Sequence, residues 1–524
     1  MAAECCPLPA THFAEAERAF AAMETFLDSA EADALKHSDL ERALDAQGRE
    51  LMRKLLQAHL DARGSSRAVE PVRDAAGGTR AARHVHMREL ETLFGTVTVT
   101  RMGYGAGGAP SLHPLDGALN LPVEKYSHEV RRRVALEAAK GAFDAGVETL
   151  ATYTGAHVPK RQFEALVVRA AQDFDAFYQA RHTSAEAAPP ATGSILVLTV
   201  DGKGVVMRPE DLREATQKAA AARATTFTAR LGRGRRLHAK RMASVAAVYT
   251  IEPFMRTPDA IFPPAGKPTT AAARPVPEHK RVWASLTQTP GEVITAMFDE
   301  AQHRDPRHRK QWVALVDGNE PQIDLISQQT AARHVAMPIV LDFIHVAEYV
   351  WKASRAFAAD QQARDAWVLP RLRALLRGKA SDVAAGMRRS ATLRGLAAED
   401  REPVDVCADY LLKYAPYLGY DLALRHGAPI ATGVIEGACG HLIEDRMNLT
   451  GARWSLNGAE AVLRLRALRS SGDFDEYWRL HERAEYERNH AALYADHRVP
   501  TTARPTASAP RSRRNLKLVK KPKQ

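Results

Sequence analysis

The sequence predicts an α/β protein with a mostly helical region at its start and a large all-helical insertion in its sheet region. Four short apolar runs, at 195–200, 244–251, 312–316 and 338–341, are rich in β-forming residues and predict buried strands. Helical segments separate most of these runs, as in proteins where helices cover a mainly parallel sheet. From 343 to about 427 the periodicity is helical throughout, and this block predicts the insertion.

The first part of the chain predicts helices followed by one β-hairpin. Ser38 and Glu41 have the spacing of a capping box, which predicts the start of a helix within 12–64. Alternating runs at 83–92 and 96–103 predict the two strands of the hairpin.

Two further helices, separated by Gly155, follow the hairpin, and the second has Lys160 and Arg161 at its start. A helix, a short glycine turn and a helix with basic residues at its start are typical of a helix-turn-helix, in which Lys160 and Arg161 contact DNA. Two packed helices of any bundle have the same pattern. The sequence leaves both interpretations open.

The basic charge of the chain is concentrated at its end. The 524 residues include 73 Lys and Arg and 62 Asp and Glu, for a formal net charge of +11. Residues 501–524 contain eight basic side chains and no acidic one, which leaves +3 for the rest of the chain. Nucleic-acid binding outside this tail must therefore depend on local clusters.

One local cluster, at 230–241, is expected to lie beside the sheet and to contact DNA phosphates. A solvated basic loop has the same composition and remains the alternative. The basic residues of the cluster are Arg230, Arg233, Arg235, Arg236, Lys240 and Arg241.

Several classes of protein are excluded by composition. Four cysteines without a C-x-x-C pair predict neither a zinc finger nor a disulfide framework. No apolar run approaches the ~18 residues that a membrane span needs. The first residues also lack the pattern of a secretory signal. We therefore expect a cytoplasmic protein without a membrane partner.

Three acidic residues lie where a site is expected. Asp201 and Asp317 each follow an apolar run and precede a glycine, and Glu436 lies near the start of a helix. Sites in α/β sheets form beyond the carboxyl ends of strands, where carboxylates can bind hard cations. Taken singly, each residue also fits a turn or the start of a helix. Spacings of 116 and 119 residues place the three in the order strand, strand, helix.

This order, with a helical block before the glutamate, resembles that of DDE recombinases with an RNase H-like fold. The strings VDGKG, LVDGNE, DFIH and GVIEGACGHLIEDRMNLTGARW are similar to those of the ISKra4 family of bacterial insertion-sequence transposases. The strings RMASVAAVY and PLDGALNLP support the resemblance, which extends over roughly 85–480. It implies an RNase H-like catalytic core with the helical insertion, preceded by a mostly α-helical DNA-binding region.

The resemblance implies that Asp201, Asp317 and Glu436 form a catalytic triad that holds two divalent cations, normally Mg²⁺ with Mn²⁺ as a substitute. Asp342 and His345 match a D-x-x-H motif of such transposases. We expect His345 to face the site and to position a phosphate or a water molecule. The same aspartate also fits a helix cap.

The activity implied is DNA transposition. Such an enzyme binds the terminal inverted repeats of its element, cleaves a DNA strand with water as the nucleophile, and joins the freed 3′ end to target DNA. Its expected partners are double-stranded DNA and at least one further copy of the chain, associated with the nucleoid. Arg453 and Trp454 follow the helix of Glu436, and Trp454 is expected either to stack on an unpaired base or to lie in the core.

Two other functions fit part of this pattern. A catalytically inactive, domesticated DNA-binding regulator has no need of three metal-binding carboxylates. An RNase H-like nuclease without strand transfer needs neither the insertion nor the end-binding helices. We expect six segments: 1–82 (helical), 83–182 (hairpin and helix-turn-helix-like DNA-binding domain), 194–345 (core, first part), 346–432 (helical insertion), 433–495 (core, last part) and 496–524 (disordered basic tail).

Overall fold

The fold is that of a computed structural model, which describes residues 12–183, 192–221, 239–263, 273–449 and 451–503. The basic residues Arg230, Arg233, Arg235 and Arg236 and the basic tail from 504 onward lie outside the described residues. Within the described ranges, no helix combines the length and apolar composition needed to cross a membrane.

The described residues form three sheets and many helices. The strands are β1 (Arg67–Ala68), β2 (Val72–Arg73), β3 (Thr79–Thr92), β4 (Gly95–Gly105), β5 (Ile195–Val206), β6 (Lys240–Ile251), β7 (Glu278–Ser285), β8 (Gln311–Val316), β9 (Ile339–Leu341) and β10 (Thr502–Ala503). The first helices are α1 (Ala14–Leu27), α2 (Ala30–Asp33), α3 (His37–Arg63), α4 (Pro114–Ala118), α5 (His128–Lys140), α6 (Phe143–Tyr153), α7 (Lys160–Ala170), α8 (Phe174–Thr183), α9 (Glu214–Ala221), α10 (Pro258–Ile261), α11 (Pro290–Arg304) and α12 (Glu320–Arg333). The later helices are α13 (Phe343–Ser354), α14 (Gln361–Leu376), α15 (Ala380–Leu393), α16 (Ala398–Lys413), α17 (Tyr420–Arg425), α18 (Gly433–Ala438), α19 (Asp445–Met447), α20 (Leu456–Ser471) and α21 (Phe474–Asn489).

The chain divides into two compact units that run across the six expected segments. Unit 1 comprises residues 1–137, 143–166 and 478–524, and unit 2 comprises residues 138–142 and 167–477.

Unit 1 contains the expected hairpin, formed by β3 and β4 in antiparallel register. Its apolar face is buried with α3 in one core, to which Leu60, Leu90, Val97, Val99, Leu115 and Leu121 contribute. The predicted capping box in α3 is wrong. The helix begins at His37, one residue before Ser38, with Lys36 at its N-cap and no side-chain cap. Ser38 therefore already lies in the first helical turn, where it cannot act as the cap.

The segment predicted as a helix-turn-helix contains α6 and the start of α7. The ring centres of Phe143 on α6 and Phe163 on α7 lie 6.0 Å apart. Gly155 is required for a reason other than a tight turn between helices. Its backbone N–H donates to the carbonyl of Leu93 (2.7 Å), and an added Cβ would lie 2.5 Å from the carbonyl carbon of Phe94. The glycine therefore permits close approach to the hairpin turn.

Unit 2 contains a five-stranded mixed sheet in the order β7-β6-β5-β8-β9. The strands β5, β6 and β7 pair antiparallel, while β8 is parallel to β5 and β9 is parallel to β8. This confirms the expectation of an α/β fold, and all four predicted strands are present. Two of them are longer than predicted, because β5 and β6 continue to pair as far as Val206 and Lys240.

The strand β7 was not predicted. Its first half is polar (Glu-His-Lys-Arg), so the apolar alternation of a sheet strand is weak. Arg281 is nevertheless buried in this strand, because it pairs with the buried carboxylate of Glu300 and lies over the ring of Tyr178 at 3.5 Å. An ion pair formed in the tertiary structure thus allows a charged residue at a core position.

After β9 the structure is helical from α13 to α17, as the periodicity predicts. The start of α11 has the T-x-x-E spacing of a capping box, with a proline directly after the threonine. Thr289 and Glu292 form the two reciprocal bonds of a capping box, with Pro290 at the first helical position.

Candidate active site

The two aspartates lie on neighbouring strands of the sheet, Asp201 within β5 and Asp317 directly after β8. The parallel register of β5 and β8 pairs Ile195 with Gln311 and Thr199 with Leu315, a constant offset of 116 residues. The same offset relates Asp201 to Asp317, so this register, continued two residues beyond its last pair, brings the two residues to the same level. Asp317 follows the last residue of β8, whereas Asp201 lies within β5 and not at its end, because pairing with β6 continues beyond it.

The surroundings of Asp317 disfavour its ionised form. Burial raises the pKa of Asp317, and the carboxylate of Asp201 raises it further. The backbone N–H of Asn319, which donates to Asp317 Oδ1 (3.1 Å), and the imidazole of His345 act in the opposite direction. Two half-buried carboxylates at the same level of adjacent strands therefore repel one another, and a cation between them would relieve the repulsion.

Asp201 has a neighbour that the sequence did not indicate. Cys439 Sγ donates to Asp201 Oδ2 at 3.2 Å. Burial raises the pKa of the Cys439 thiol, and the charge of Asp201 raises it further, so the thiol remains protonated. The sequence signal that could have indicated Cys439 is its position three residues after Glu436, about one turn of a helix.

Cys439 begins a π-helical turn, Cys439–Glu444, which directly continues α18. The wider turn carries Glu444 to Lys203 of β5, where the two charged groups lie 2.5 Å apart. The hydrogen bond from the Lys203 ammonium to the Glu444 carboxylate raises the pKa of Lys203. π-Helical turns inside helices are often found at functional sites, and this one bonds to β5 on both sides of Gly202.

Asp342 connects three segments of the site. It immediately follows β9, is fully buried, and caps α13 by accepting from the N–H of Ile344 (2.8 Å). Its second carboxylate oxygen accepts a hydrogen bond from Thr432 Oγ1, just before α18, and lies 3.4 Å from His345 Nδ1. Its backbone N–H donates to the carbonyl of Val316 (2.7 Å), the residue before Asp317.

Glu436 lies beside His345 and Asp342. One ligand atom from each of Asp342, His345 and Glu436 lies within 4.8 Å of the others, which makes this group a possible metal site. Glu436 is exposed and His345 half-buried. The set offers carboxylate oxygens and one imidazole nitrogen, which suit divalent cations. This set includes Glu436 of the expected triad but neither Asp201 nor Asp317. His345 also lowers the pKa of Asp317, so it interacts both with this set and with the pair of aspartates.

A cleft of about 900 Å³ opens next to these residues. Asp317, Gly318, Asn319 and His345 line one part of it. The remaining walls come from α13 and α16 of the helical insertion, mainly through tyrosine and aliphatic side chains. The insertion therefore contributes to the surroundings of the candidate site.

Trp454 belongs to the core, and the expectation that it stacks on an unpaired base is wrong. The side chain is 6% exposed, its Nε1 donates to the carbonyl of Met447 (3.1 Å), and the guanidinium of Arg446 lies 4.7 Å from the ring centre. Its backbone pairs with that of Met207 beyond β5. The neighbouring Arg453 is exposed.

The described basic residues differ in their availability to DNA. Lys240 is exposed, but Arg241 donates from Nε to the carbonyl of Leu286 (2.9 Å) and from Nη1 to that of Asp211 (3.3 Å). The guanidinium of Arg241 thus holds two backbone segments, and its contact with DNA phosphates stays a prediction. Lys160 and Arg161 are exposed at the start of α7, where Lys160 pairs with Asp144 (2.7 Å).

Comparisons with known proteins give little support for a specific assignment. No protein-family model matches the sequence, and no curated protein matches it. Among solved structures, the Drosophila P element transposase strand transfer complex is similar over 69% of this chain and 81% of that chain. The sequence identity is 10% and the TM-score is 0.23. A likeness at this level does not establish a shared fold or activity.

Proposed function

We propose that this chain is a DDE transposase of the ISKra4 type, with an RNase H-like core in unit 2. The observation that carries the proposal is the parallel register of β5 and β8, which brings Asp201 and Asp317 level with each other when it is continued by two residues, together with the effect of the Asp201 charge on the pKa of Asp317. In this proposal Glu436 and His345 complete the site. The charge of Asp201 raises the pKa of Asp317, and His345 lowers it. A mixed five-stranded sheet that carries these aspartates is compatible with an RNase H-like core.

The donor set fits divalent cations. Asp201, Asp317 and Glu436 offer carboxylate oxygens, the ligands that suit both Mg²⁺ and Mn²⁺. The mutual repulsion of the two aspartates is a second reason to expect a cation there. When bound, a pair of such ions activates the attacking oxygen and stabilises the leaving 3′ oxygen in phosphodiester chemistry.

The protein's own groups orient the substrate and the carboxylates. The backbone N–H of Asn319 holds Asp317, and the thiol of Cys439 holds Asp201. If His345 Nδ1 carries the proton shared with Asp342, Nε2 is left free to accept a hydrogen bond from water or a 3′-hydroxyl. One site can thus serve cleavage by water and strand transfer by a freed 3′-hydroxyl.

The first test is cleavage of DNA that carries the sequences bracketing the gene, with Mg²⁺ present. Asp201→Asn, Asp317→Asn and Glu436→Gln are each expected to remove cleavage and strand joining while binding of the same duplex persists, because each change removes a ligand charge. Glu348→Gln is the matched control, since this exposed carboxylate on α13 pairs only with Lys352 in the described structure. Cleavage by any triad variant at the wild-type rate contradicts the assignment of that residue.

Product analysis separates the proposed activity from its alternatives. Cleaved but never joined ends indicate an RNase H-like nuclease without strand transfer. Duplex binding with neither product in the wild type indicates a domesticated DNA-binding regulator.

A further inference from the structure

The cleft beside Asp317 has an aromatic wall built by the helical insertion. Tyr349 of α13 and Tyr410 of α16 stack with their ring centres 4.0 Å apart and their planes 14° from parallel. Tyr414 lies next to Tyr410, with ring centres 4.8 Å apart. All three tyrosines line the cleft that Asp317 and His345 also line. The wall is therefore in the same cavity as the candidate catalytic groups.

The wall is attached to the residue that follows Asp317. Gly318 has a positive φ of 100°, and its carbonyl accepts a hydrogen bond from Tyr414 Oη at 2.7 Å. A Cβ at Gly318 would lie 3.2 Å from Tyr410 Oη. Glycine at this position thus permits both the turn and the close approach of α16, and it fixes the tyrosines relative to the carboxylate of Asp317.

The chemistry of the cleft suits a flat ring with polar edges. Val406 and Leu412 contribute partly exposed apolar surface, 49% and 43% exposed. Asp409 and Lys413, which also line the cleft, offer an acceptor and a donor to the polar edge of an occupant. A volume of about 900 Å³ lies within the ~300–1,000 Å³ typical of sites for small ligands.

We propose that this cleft receives an unpaired nucleobase of the DNA substrate, which stacks on the face of Tyr349 that Tyr410 does not cover. The base displaces the ammonium group of Lys352, which lies 5.1 Å from the centre of the Tyr349 ring. The inference rests on the proposed function, because a DNA strand positioned at Asp317 brings its neighbouring nucleotides within reach of the cleft. Every base has a π-face, so aromatic stacking accepts a base without regard to sequence. The stacking role expected for the buried Trp454 belongs instead to this tyrosine pair.

The test compares two eight-unit strands in buffer with EDTA: oligothymidylate, and an abasic deoxyribose-phosphate strand of equal length. Both have the same backbone charge, so their difference in affinity, measured by fluorescence anisotropy, reports base contacts alone. The wild type is expected to prefer oligothymidylate. Tyr349→Leu should reduce that preference by roughly 5- to 150-fold, the range expected from one stacked base, while Tyr349→Phe retains it.

Two further variants keep the test decisive. Tyr153→Ala removes a tyrosine that is 74% exposed on α6 and does not line the cleft, so the preference should be unchanged. Val406→Glu places a negative charge at the rim of the cleft without removing core packing, and it should lower oligothymidylate affinity even if Tyr349→Leu fails to fold. Circular dichroism reports folding.

Equal affinity of the wild type for the two strands overturns the proposal. So does a preference that folded Tyr349→Leu and Val406→Glu both retain. Because binding is measured without metal, a failure of Mg²⁺-dependent cleavage counts against the proposed function and not against the base site. The two proposals can therefore fail separately.

Discussion

Asp342 caps a helix, as the sequence allowed, and its carboxylate also contacts two other residues of the candidate site. A fully buried carboxylate is costly unless it is hydrogen-bonded, and Asp342 bonds to Ile344, Thr432 and His345. These bonds orient the imidazole and hold the segment just before α18, which carries Glu436. Groups behind a ligand commonly fix its tautomer and direction in this way. Asp342 is therefore a positioning residue for the candidate site.

The substitution Asp342→Asn keeps an acceptor for Ile344 but changes the partners of His345 and Thr432. We expect kcat for Mg²⁺-dependent cleavage to fall by roughly 10- to 100-fold, as for other residues behind metal ligands, with little change in KM for DNA. Steady-state kinetics provide the measurement. Asp360→Asn is the matched control, because Asp360 caps α14 through Ala363 (2.8 Å) at an exposed position. Equal losses in both variants would show that Asp342 acts only as a cap.

At the scale of elements, register decides where the acidic residues meet. One residue of slip between β5 and β8 would move Asp201 to the opposite face from Asp317, because side chains alternate along a strand. Every residue from Ile195 to Val200 is buried, so a slip would exchange two packed apolar faces and disturb the side-chain packing on both. The core of the sheet thereby aligns the candidate site.

In unit 1 a buried ion pair joins α5 to α21. Arg131 Nη1 donates to Glu485 Oε2 at 2.8 Å, and the guanidinium is fully buried. Burial opposes ionisation of Glu485, but the hydrogen bond and charge of Arg131 outweigh it and lower the pKa of Glu485 to about 2. Glu485 is thus charged in the folded chain at all ordinary pH values.

This pKa predicts an acid-sensitive contribution to stability. Because the folded pKa lies below the ordinary value of 4.5, the contribution is complete above pH 4.5 and is lost as the pH falls toward about 2. Glu485→Gln should reduce the free energy of unfolding at pH 7 by about 3 kcal/mol, a cost also expected for breaking a buried ion pair. Urea unfolding at pH 7 and at pH 3 should show the gap to the wild type narrowing at pH 3. Glu487→Gln, an exposed change on the same helix, is the control, and an equal gap at both pH values would contradict the assignment.

At the scale of the whole molecule, the formal charge is unevenly distributed. All eight basic residues of the sequence after residue 500 lie in 504–524, and subtracting them from +11 leaves +3 for the rest. For DNA binding that depends on phosphate neutralisation, the logarithm of the binding constant falls linearly with the logarithm of the salt concentration, with a slope of about −0.9 per phosphate contacted. The tail can therefore dominate the salt dependence of DNA binding.

Truncation after residue 503 is expected to make this salt dependence less steep, by up to about 7 in the logarithmic slope if all eight charges contact phosphates. Affinity for a duplex of arbitrary sequence, measured between 50 and 200 mM salt by fluorescence anisotropy, provides the slope. A chain with the same tail residues in permuted order is the control and should retain the full slope, because these contacts do not depend on sequence. An unchanged slope after truncation would assign the salt dependence to the folded part of the chain.

The sequence by itself determined the elements with strong periodicity. The apolar runs of four sheet strands, the helical block from α13 to α17 and the capping box of Thr289 are local patterns, so they could be predicted without a fold. Asp201, Asp317 and Glu436 were singled out from the sequence by their place after strands or near a helix start, whereas His345 came from the resemblance to the D-x-x-H motif. A shared sheet between Asp201 and Asp317 follows from the α/β pattern.

Only the tertiary structure decided which side chains meet. The thiol of Cys439 at Asp201, the bond from Thr432 to Asp342 and the stacked Tyr349–Tyr410 pair each join residues far apart along the chain. Burial of Trp454 and of Arg281 in β7 likewise depends on partners from distant segments. Such contacts arise from packing between elements, whereas periodicity reports only which face of an element is apolar. For this reason the sequence located the acidic residues of the candidate site, and the fold determined their neighbours.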